Sequence, residues 1–410
     1  MKLQPRKTSP AAFDNFLRAH YERAIGSACV TSRPFILLLD PASVCQLQCP
    51  MCPTGLENAG NVGQGRARYR RRNLMARATF DAILDELGPD LFFVHLYNWG
   101  EPLLNRELNG FIRRLASADI TTDIHTNLSL PLSEAQLIDL LTSGIHRIEA
   151  SIDGFSQATY SRYRVKGRFE MARDNLVRLA TLRDRLGLTT ELVWNFLVFR
   201  YNEHEIEAAR QYCADHGIAF VRREAAISEA MRTDFLPSYR QGENLDAFYE
   251  KAAAPFDPAV IAARAPGATC AWHYYYATIN ADGSVSPCCA PWEDDWDFGA
   301  IVPGQTRFAD IWNAPQVCRA RGDVGGHQLL ARLQAGGQLQ AVRSVDDFLR
   351  QGTLCEGCPM PPAMFDLYSD LADTIVDHYL AHCTGHDSRR DQLFATVRRD
   401  PAAFKALYAA

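Results

Sequence analysis

Phe35-Ile-Leu-Leu-Leu-Asp40-Pro-Ala-Ser-Val-Cys45-Gln-Leu-Gln-Cys49-Pro-Met-Cys52 decides how this chain folds and what it holds. The run Phe35–Asp40 reads as a strand, and the loop after it carries three cysteines at the spacing C-x3-C-x2-C. Downstream, the pattern alternates. Strands are predicted at Leu91–Tyr97, Thr121–Thr126, Arg147–Ile152, Glu191–Phe199 and Ile218–Arg223. Helices are predicted at Thr79–Leu87, Glu107–Ala118, Ser133–Ser143, Met171–Leu186 and Glu203–His216, with Ser133 and Gln136 forming a capping box and Gly144 and Gly217 stopping helices. Alternating strands and helices imply a parallel sheet with helical crossovers, and six strands are too few for a closed eight-fold barrel, so an open, partial (β/α)6 barrel is expected.

Ligand sites in such sheets collect in the loops after the strands' C-terminal ends. The cysteine loop follows the first strand, Gly100–Pro102 the second, Thr126–Asn127 the third and Ser151–Gly154 the fourth, so the unusual motifs share one face. The expected division is an N-terminal helical extension over 1–32, a barrel core over 33–225, a connector over 226–268 with a short helix near Leu245–Ala253, a second cysteine region over 269–362 and a tail of two helices over 363–410.

Composition narrows the class. Of 410 residues, 47% are apolar and 22% charged, as in an ordinary globular protein. A net charge of −5 gives no general pull toward nucleic acid or anionic membrane, no run of about 18 apolar residues is present, and the N-terminus lacks the apolar segment of a secretory signal. A cytoplasmic location is therefore expected, where disulfides are rare and clustered cysteines point to metal. The twelve cysteines concentrate at Cys45–Cys52 and between Cys270 and Cys358.

Three thiolates on one short loop can hold three irons of a cubane and leave the fourth open to a ligand. Zinc would need a fourth ligand, for which His95 or His125 is available. In the second region, Cys270 and Cys288 flank a hairpin turning at Asp282-Gly283, and Cys355-Glu-Gly-Cys358 follows far downstream. Four thiolates make a cage that suits zinc or an iron–sulfur cluster equally by count.

The first cysteine loop resembles the signature of the radical S-adenosylmethionine (SAM) superfamily. That resemblance implies a [4Fe–4S] cluster on Cys45, Cys49 and Cys52, SAM chelated to its open iron, and a 5′-deoxyadenosyl radical that abstracts hydrogen from substrate. Asn98-Trp99-Gly100-Glu101-Pro102 is similar to the family's segment that takes the SAM amino group, with Trp99 in place of a common glycine. Ser151-Ile152-Asp153-Gly154 and Thr159–Arg164 resemble segments whose serine and last arginine meet the SAM carboxylate, which a guanidinium matches in a bidentate pair. Asn127 stands where the family often has Thr-Asn-Gly, with Leu128 replacing the glycine. The implied SAM contacts are thus Gly100, Glu101, Pro102, Asn127, Ser151 and Arg164.

Cys270-Ala-Trp, Ile279-Asn-Ala-Asp-Gly-Ser-Val-Ser-Pro-Cys288-Cys289 and Phe308-Ala-Asp-Ile-Trp312-Asn313 are similar to the SPASM/Twitch auxiliary-cluster domain. Cysteines expected after Cys358 in a full SPASM domain are absent, which implies one auxiliary [4Fe–4S] cluster on Cys270, Cys288, Cys355 and Cys358. Cys289 and Cys318 are spare, read first as buried structural thiols and second as substitute ligands, and Cys29, Cys213 and Cys383 are expected to have no special role.

The basic run Arg66–Arg72 reads first as a solvated loop, second as a collector of an anionic substrate or electron donor. Pro291–Asp297 reads equally as a segment facing substrate or as an exposed hairpin flank, and Trp272, His273 and Tyr274–Tyr276 read as core; no general base is assigned. The single-cluster count resembles a known sugar-alcohol dehydrogenase type. It leads to the expectation of an oxidoreductase on a small natural-product molecule, an aminocyclitol or sugar, fed electrons by a flavodoxin or ferredoxin. The alternative is a maturase of a ribosomal precursor peptide, against which residues 1–32 are short for a fused peptide-recognition domain. A non-enzymatic iron–sulfur or zinc protein is a third reading.

Overall fold

The computed structural model describes residues 3–60, 70, 73–225, 231–241, 257–263, 267, 269–356, 358 and 369–410. Its frame is one sheet of nine strands: β1 (Ile36–Leu39), β2 (Phe93–His95), β3 (Thr121–Thr126), β4 (Arg147–Ser151), β5 (Glu191–Val198), β6 (Ala219–Glu224), β7 (Tyr276–Ile279), β8 (Ser284–Ser286) and β9 (Gly299–Ala300). The order is β6-β5-β4-β3-β2-β1-β7-β8-β9. β1 to β6 run parallel in sequence order, which is the partial (β/α)6 barrel. β7 joins the far side of β1, also parallel, and β8 and β9 follow antiparallel. The hairpin of the second cysteine region thus continues the sheet of the first.

The crossover helices are α3 (Arg77–Leu87), α4 (Leu108–Ala116), α5 (Glu134–Leu141), α6 (Gln157–Tyr163), α7 (Phe169–Arg185) and α8 (Ile206–Asp215), preceded by α1 (Pro10–Ala24) and the short α2 (Pro53–Asn58). The Ser133 hydroxyl accepts from Gln136 N and the Gln136 side chain accepts from Ser133 N, closing the capping box of α5.

Because side chains alternate across a strand, the register sorts the sheet into two faces. Val94, Ile124, Ile148, Leu192, Trp194 and Phe196 are buried on one. On the other, His95 lies opposite Asp123, His125 opposite Glu149, Ser151 opposite Asn195 and Leu197 opposite Arg223. The apolar face packs under the helices; the polar face is the barrel's inner wall.

Elsewhere the structure departs from expectation. Among the described residues the tail holds three helices, Ser369–His382, Ser388–Thr396 and Pro401–Ala409, where two were expected. Asp400 caps the last by accepting from Ala403 N, and Pro401 begins it, so the chain breaks at a point its apolar stripe does not mark. Leu371, Ile375 and Tyr379 of that stripe are buried, whereas Phe365 and Leu367, like Leu245–Ala253, lie outside the described residues. α1 packs Phe13 and Phe16 against Phe394, and Tyr21 stacks on Tyr408, joining the two chain ends. The segment after α1 reaches the second cysteine region, where Trp312 Nε1 donates to Ser32 O and Asn313 Nδ2 to Val30 O. This contact corrects two expectations: Cys29 and Cys318, read as unrelated thiols, pair as a disulfide with Cα atoms 5.2 Å apart. A separation of 289 residues hides such a pair from any local reading.

Candidate functional site

The first cysteine loop is held by its own backbone acceptors. Asn58 Nδ2 donates to Cys45 O at 2.8 Å and to Leu47 O at 2.7 Å, and Gln48 Nε2 returns a bond to Asn58 O. α2 starts directly after Cys52, and its Gly55 sits so near Cys49 that a Cβ there would lie 2.3 Å from Cys49 O. Gly55 is a site residue that the sequence reading missed; a glycine three places after the third cysteine was its only signal.

The three thiols lie together in a largely apolar shell of Leu47, Tyr163, Phe199 and Leu236, with Met231 and Phe235 at its edge. Burial pushes Cys45 up to about 12 and Cys49 to about 11, and raises Cys52 as well. Each sulfur has donors aimed at it: Leu47 N at 3.4 Å and Asn127 Nδ2 at 3.8 Å from Cys45 Sγ, Arg164 Nη1 at 4.0 Å from Cys49 Sγ, and the Gly55 and Thr54 amides with the Thr54 hydroxyl at Cys52. Thiolates are costly in so apolar a pocket unless cations neutralise them, so this donor set fits an iron cluster. His95 and His125 are engaged elsewhere: His95 Nδ1 lies 2.6 Å from Asp123 Oδ1, and His125 lies 3.4 Å from Glu149 and stacks on Tyr97.

The structure gathers the SAM motifs around that loop. Gly100 presses on it: a Cβ would lie 1.7 Å from Ala42 O and 2.8 Å from Val44 O, while Glu101 N donates to Val44 O. Trp99, in place of the family's glycine, turns toward Trp292 of the second cysteine region, with ring centroids 6.2 Å apart. Pro102 opens a one-turn 3-10 helix, Pro102–Leu104. The Glu101 carboxylate is buried and accepts from Thr126 Oγ1 at 2.6 Å, Asn127 N at 2.8 Å and Leu103 N at 3.1 Å. Burial raises its pKa against those three bonds. Glu101 therefore clamps β2 to β3 from within, a role its motif alone does not reveal.

Asn127 Oδ1 accepts from Gln46 Nε2 at 2.8 Å, tying β3 to the cysteine loop. Leu128 takes φ +50°, the left-handed conformation that the family's glycine favours, and Asn175 Nδ2 binds its carbonyl. Arg164 Nε donates to Asp153 Oδ2 at 2.6 Å, and Asp153 Oδ1 accepts from Leu197 N. Burial opposes the Arg164 charge, yet Asp153 and the Cys49 thiol hold its pKa well above the usual range. Ser151 ends β4 beside Asn195, whose buried Oδ1 has no hydrogen-bond partner among the described residues. An orphaned acceptor among the SAM motifs is what a bound polar ligand would satisfy.

In the second region, Cys270, Cys288 and Cys358 all act electrostatically on Cys355, whose pKa burial and those thiols raise well above normal. Cys289 is absent from that set, although it acts on Cys288. Among the described residues no three His, Cys, Asp or Glu converge on one point as a single ion would require. A four-iron cube takes one thiolate at each corner and does not require it. The residues present fit such a cluster. His273 Nε2 lies 3.0 Å from Cys355 Sγ, a contact that the reading of His273 as core did not foresee.

Two further readings are corrected here. Arg70, expected in a solvated basic run, is buried and makes a bidentate pair with Asp297, at 2.5 and 2.9 Å, and bonds to Ser284 and Ser286. The basic loop and the acidic flank each supply half of that pair, so neither looks internal alone. The other arginines of the run lie outside the described residues. Within the connector, α9 (Arg232–Phe235) brings Phe235 to the cysteine loop.

Comparison with known proteins agrees with this geometry. Residues 270–359 match SPASM, an iron-sulfur cluster-binding domain. The PqqA peptide cyclase of Rhodopseudomonas palustris is 26% identical over 299 residues, 69% of this chain and 74% of that protein. The PqqA peptide cyclase of Granulibacter bethesdensis is 26% identical over 308 residues, 70% of this chain and 76% of that protein. The crystal structure of Streptococcus suis SuiB bound to S-adenosylmethionine aligns with 77% of this chain and 72% of its own, at 14% identity and a TM-score of 0.49. The fold and site define an enzyme that uses SAM and [4Fe–4S] clusters. The SPASM match and the two cyclase relatives support the radical SAM superfamily, in its SPASM-type branch. No helix among the described residues is long and apolar enough to cross a membrane.

Proposed function

We propose that this enzyme oxidises or crosslinks a ribosomally made precursor peptide in the cytoplasm, drawing electrons from a flavodoxin or ferredoxin. One observation carries the substrate class: two proteins named PqqA peptide cyclase align with 69% and 70% of the chain. The aminocyclitol or sugar inferred from the cysteine count becomes the second reading, because a count of cluster ligands reports electron capacity and not substrate shape.

In this reading residues 33–225 hold SAM and residues 269–362 the auxiliary cluster. Cys45, Cys49 and Cys52 ligate the first cluster and leave one iron for SAM; Cys270, Cys288, Cys355 and Cys358 close the second. When bound, these groups supply a 5′-deoxyadenosyl radical and a one-electron acceptor. Arg164, steadied by Asp153, and Ser151 take the methionine carboxylate. Gly100 and Pro102 carry backbone to the amino group, with Glu101 and Asn127 fixing that backbone against the cluster loop. The apolar shell of Tyr163, Phe199 and Leu236 keeps water from the radical.

The test is anaerobic turnover of reconstituted, reduced enzyme with SAM and either a precursor peptide encoded beside the gene or an aminocyclitol. Formation of 5′-deoxyadenosine stimulated by the peptide, with a peptide product lacking two hydrogens, supports the reading. Stimulation by the aminocyclitol alone replaces it with the second.

A further inference from the structure

His273 is nearly fully buried, 3% exposed, in the short helix Trp272–Tyr275 that separates Cys270 from β7. Its position is fixed at three points. The His273 N–H donates to Cys270 O at 3.2 Å, its carbonyl accepts from Arg321 Nε at 2.9 Å, and its Nε2 lies 3.0 Å from Cys355 Sγ. Arg321 is itself buried, bonded to Asn313 Oδ1 and stacked over Trp312 at 4.3 Å. The Cys270 segment and Arg321, which carries the Phe308–Asn313 motif, thus hold the His273 backbone, while its imidazole alone reaches the Cys355 segment.

An ordinary core histidine gives its polar atoms to backbone or hydroxyl partners. Here the facing atom is a sulfur of the four-thiol set, and a thiolate bound to iron offers only lone pairs. The ring nitrogen turned toward it must therefore carry the proton. Hydrogen bonds to cluster sulfurs draw off electron density and stabilise the reduced state, which sets potential alongside burial and net charge.

We propose that His273 donates Nε2–H to the Cys355 sulfur and raises the reduction potential of the auxiliary cluster, making it a better electron acceptor. This rests on Cys355 being a cluster ligand. His273 acts through that ligand and is a positioning residue, with Arg321 and Trp312 holding it in place.

The test uses His273→Leu and His273→Gln in the full-length Cys45→Ala/Cys49→Ala/Cys52→Ala protein, so that only the auxiliary cluster is observed. Iron per chain and an EPR-monitored redox titration are the readouts. Iron is expected to stay at about four per chain in both. Without the donor, the cluster of the Leu variant should accept its electron tenfold less favourably, a midpoint about 59 mV lower for a one-electron couple. The Gln variant, with a shifted donor, should fall between. An unchanged midpoint in the Leu variant overturns the proposal. Loss of iron in both variants also overturns it, because His273 would then be a ligand or a fold determinant. Should only the Leu variant fail to assemble, the Gln midpoint decides, lower in support and equal or higher against. Cys355→Ala checks the footing: if it keeps its iron, the ligand assignment has failed and not the hydrogen bond.

Discussion

Replacing Gly100 by alanine should separate SAM binding from folding. The added Cβ would stand 1.7 Å from Ala42 O, 2.6 Å from Ala42 C and 2.8 Å from Val44 O. Real Cβ contacts essentially never fall under 3.0 Å, so the two backbones must part by about 1.3 Å, and neither partner is a flexible side-chain end. The strain falls on the Glu101 N–Val44 O bond, which fixes the height of the cysteine loop over β2. Overpacking of this kind costs about 1–3 kcal/mol, which a chain with so extensive a core survives. The cysteine loop, whose thiols must meet three corners of one cube, tolerates much less displacement. We expect Gly100→Ala to give a folded protein that keeps its auxiliary iron but binds SAM at least tenfold more weakly, with iron falling from about eight toward about four per chain. The control is Gly110→Ala in α4, where the new Cβ meets, among the described residues, only the end of Arg77, at 3.3 Å. That change should leave SAM binding intact and stabilise the helix by up to about 1 kcal/mol. Isothermal titration with SAM and iron analysis read both. Wild-type SAM affinity in Gly100→Ala would refute the packing argument.

Three further outcomes follow from the geometry. Cys45→Ala/Cys49→Ala/Cys52→Ala should halve the iron from about eight to about four per chain; retention of all of it would place the first cluster elsewhere. Asp40 is buried at the end of β1, and burial lifts its pKa to about 7 against the pull of the Ala42 and Trp99 amides and Arg70. Folding therefore takes up a proton between about pH 4 and 7, and the associated stability is full below that window and lost as pH rises through it. Asp40→Asn should gain on wild type by on the order of 4 kcal/mol between pH 4 and 8 in urea titrations, and parallel stability curves would contradict the assignment. Arg70→Met alone should destabilise by about 3–5 kcal/mol by stranding Asp297, whereas Arg70→Met/Asp297→Leu should recover most of it; equal losses in single and double variants would deny the pair its burial.

The core and its cysteine loop were readable because their signals are local. The six parallel strands are short β-rich runs separated by amphipathic helices, and Cys45, Cys49 and Cys52 sit within eight residues. What stayed hidden depends on contacts across the chain. Arg70 and Asp297 each look solvated until the hairpin joins the barrel sheet and removes water from both. Cys29 needs Cys318, and His273 needs Cys355, 82 residues on. Leu128 is instructive in the other direction. Its glycine-like place in the motif was legible, yet only the backbone, at φ +50°, reveals that leucine pays the conformational cost while staying fully buried.

The strand directions also constrain what the second cluster can do. β7 runs parallel to β1, so its C-terminal end, and with it the Asp282-Gly283 turn, lies at the end of the sheet from which the Cys45 loop emerges. β8 returns antiparallel and delivers Cys288 to the opposite end, where Cys270 precedes β7. Four paired residues separate those ends, Ile36–Leu39 against Tyr276–Ile279, or about 13 Å along the strand. In the proposed function, a substrate seated at the SAM end would give up its hydrogen about one strand length from the end of the sheet that carries Cys270 and Cys288, and the auxiliary site would exchange electrons with it at a distance. Under that constraint the useful variables are the cluster's potential and the rigidity of the sheet between the two ends. In that reading His273 would act on the first, through the Cys355 sulfur, and the Arg70–Asp297 pair, with its bonds to Ser284 and Ser286 of β8, on the second.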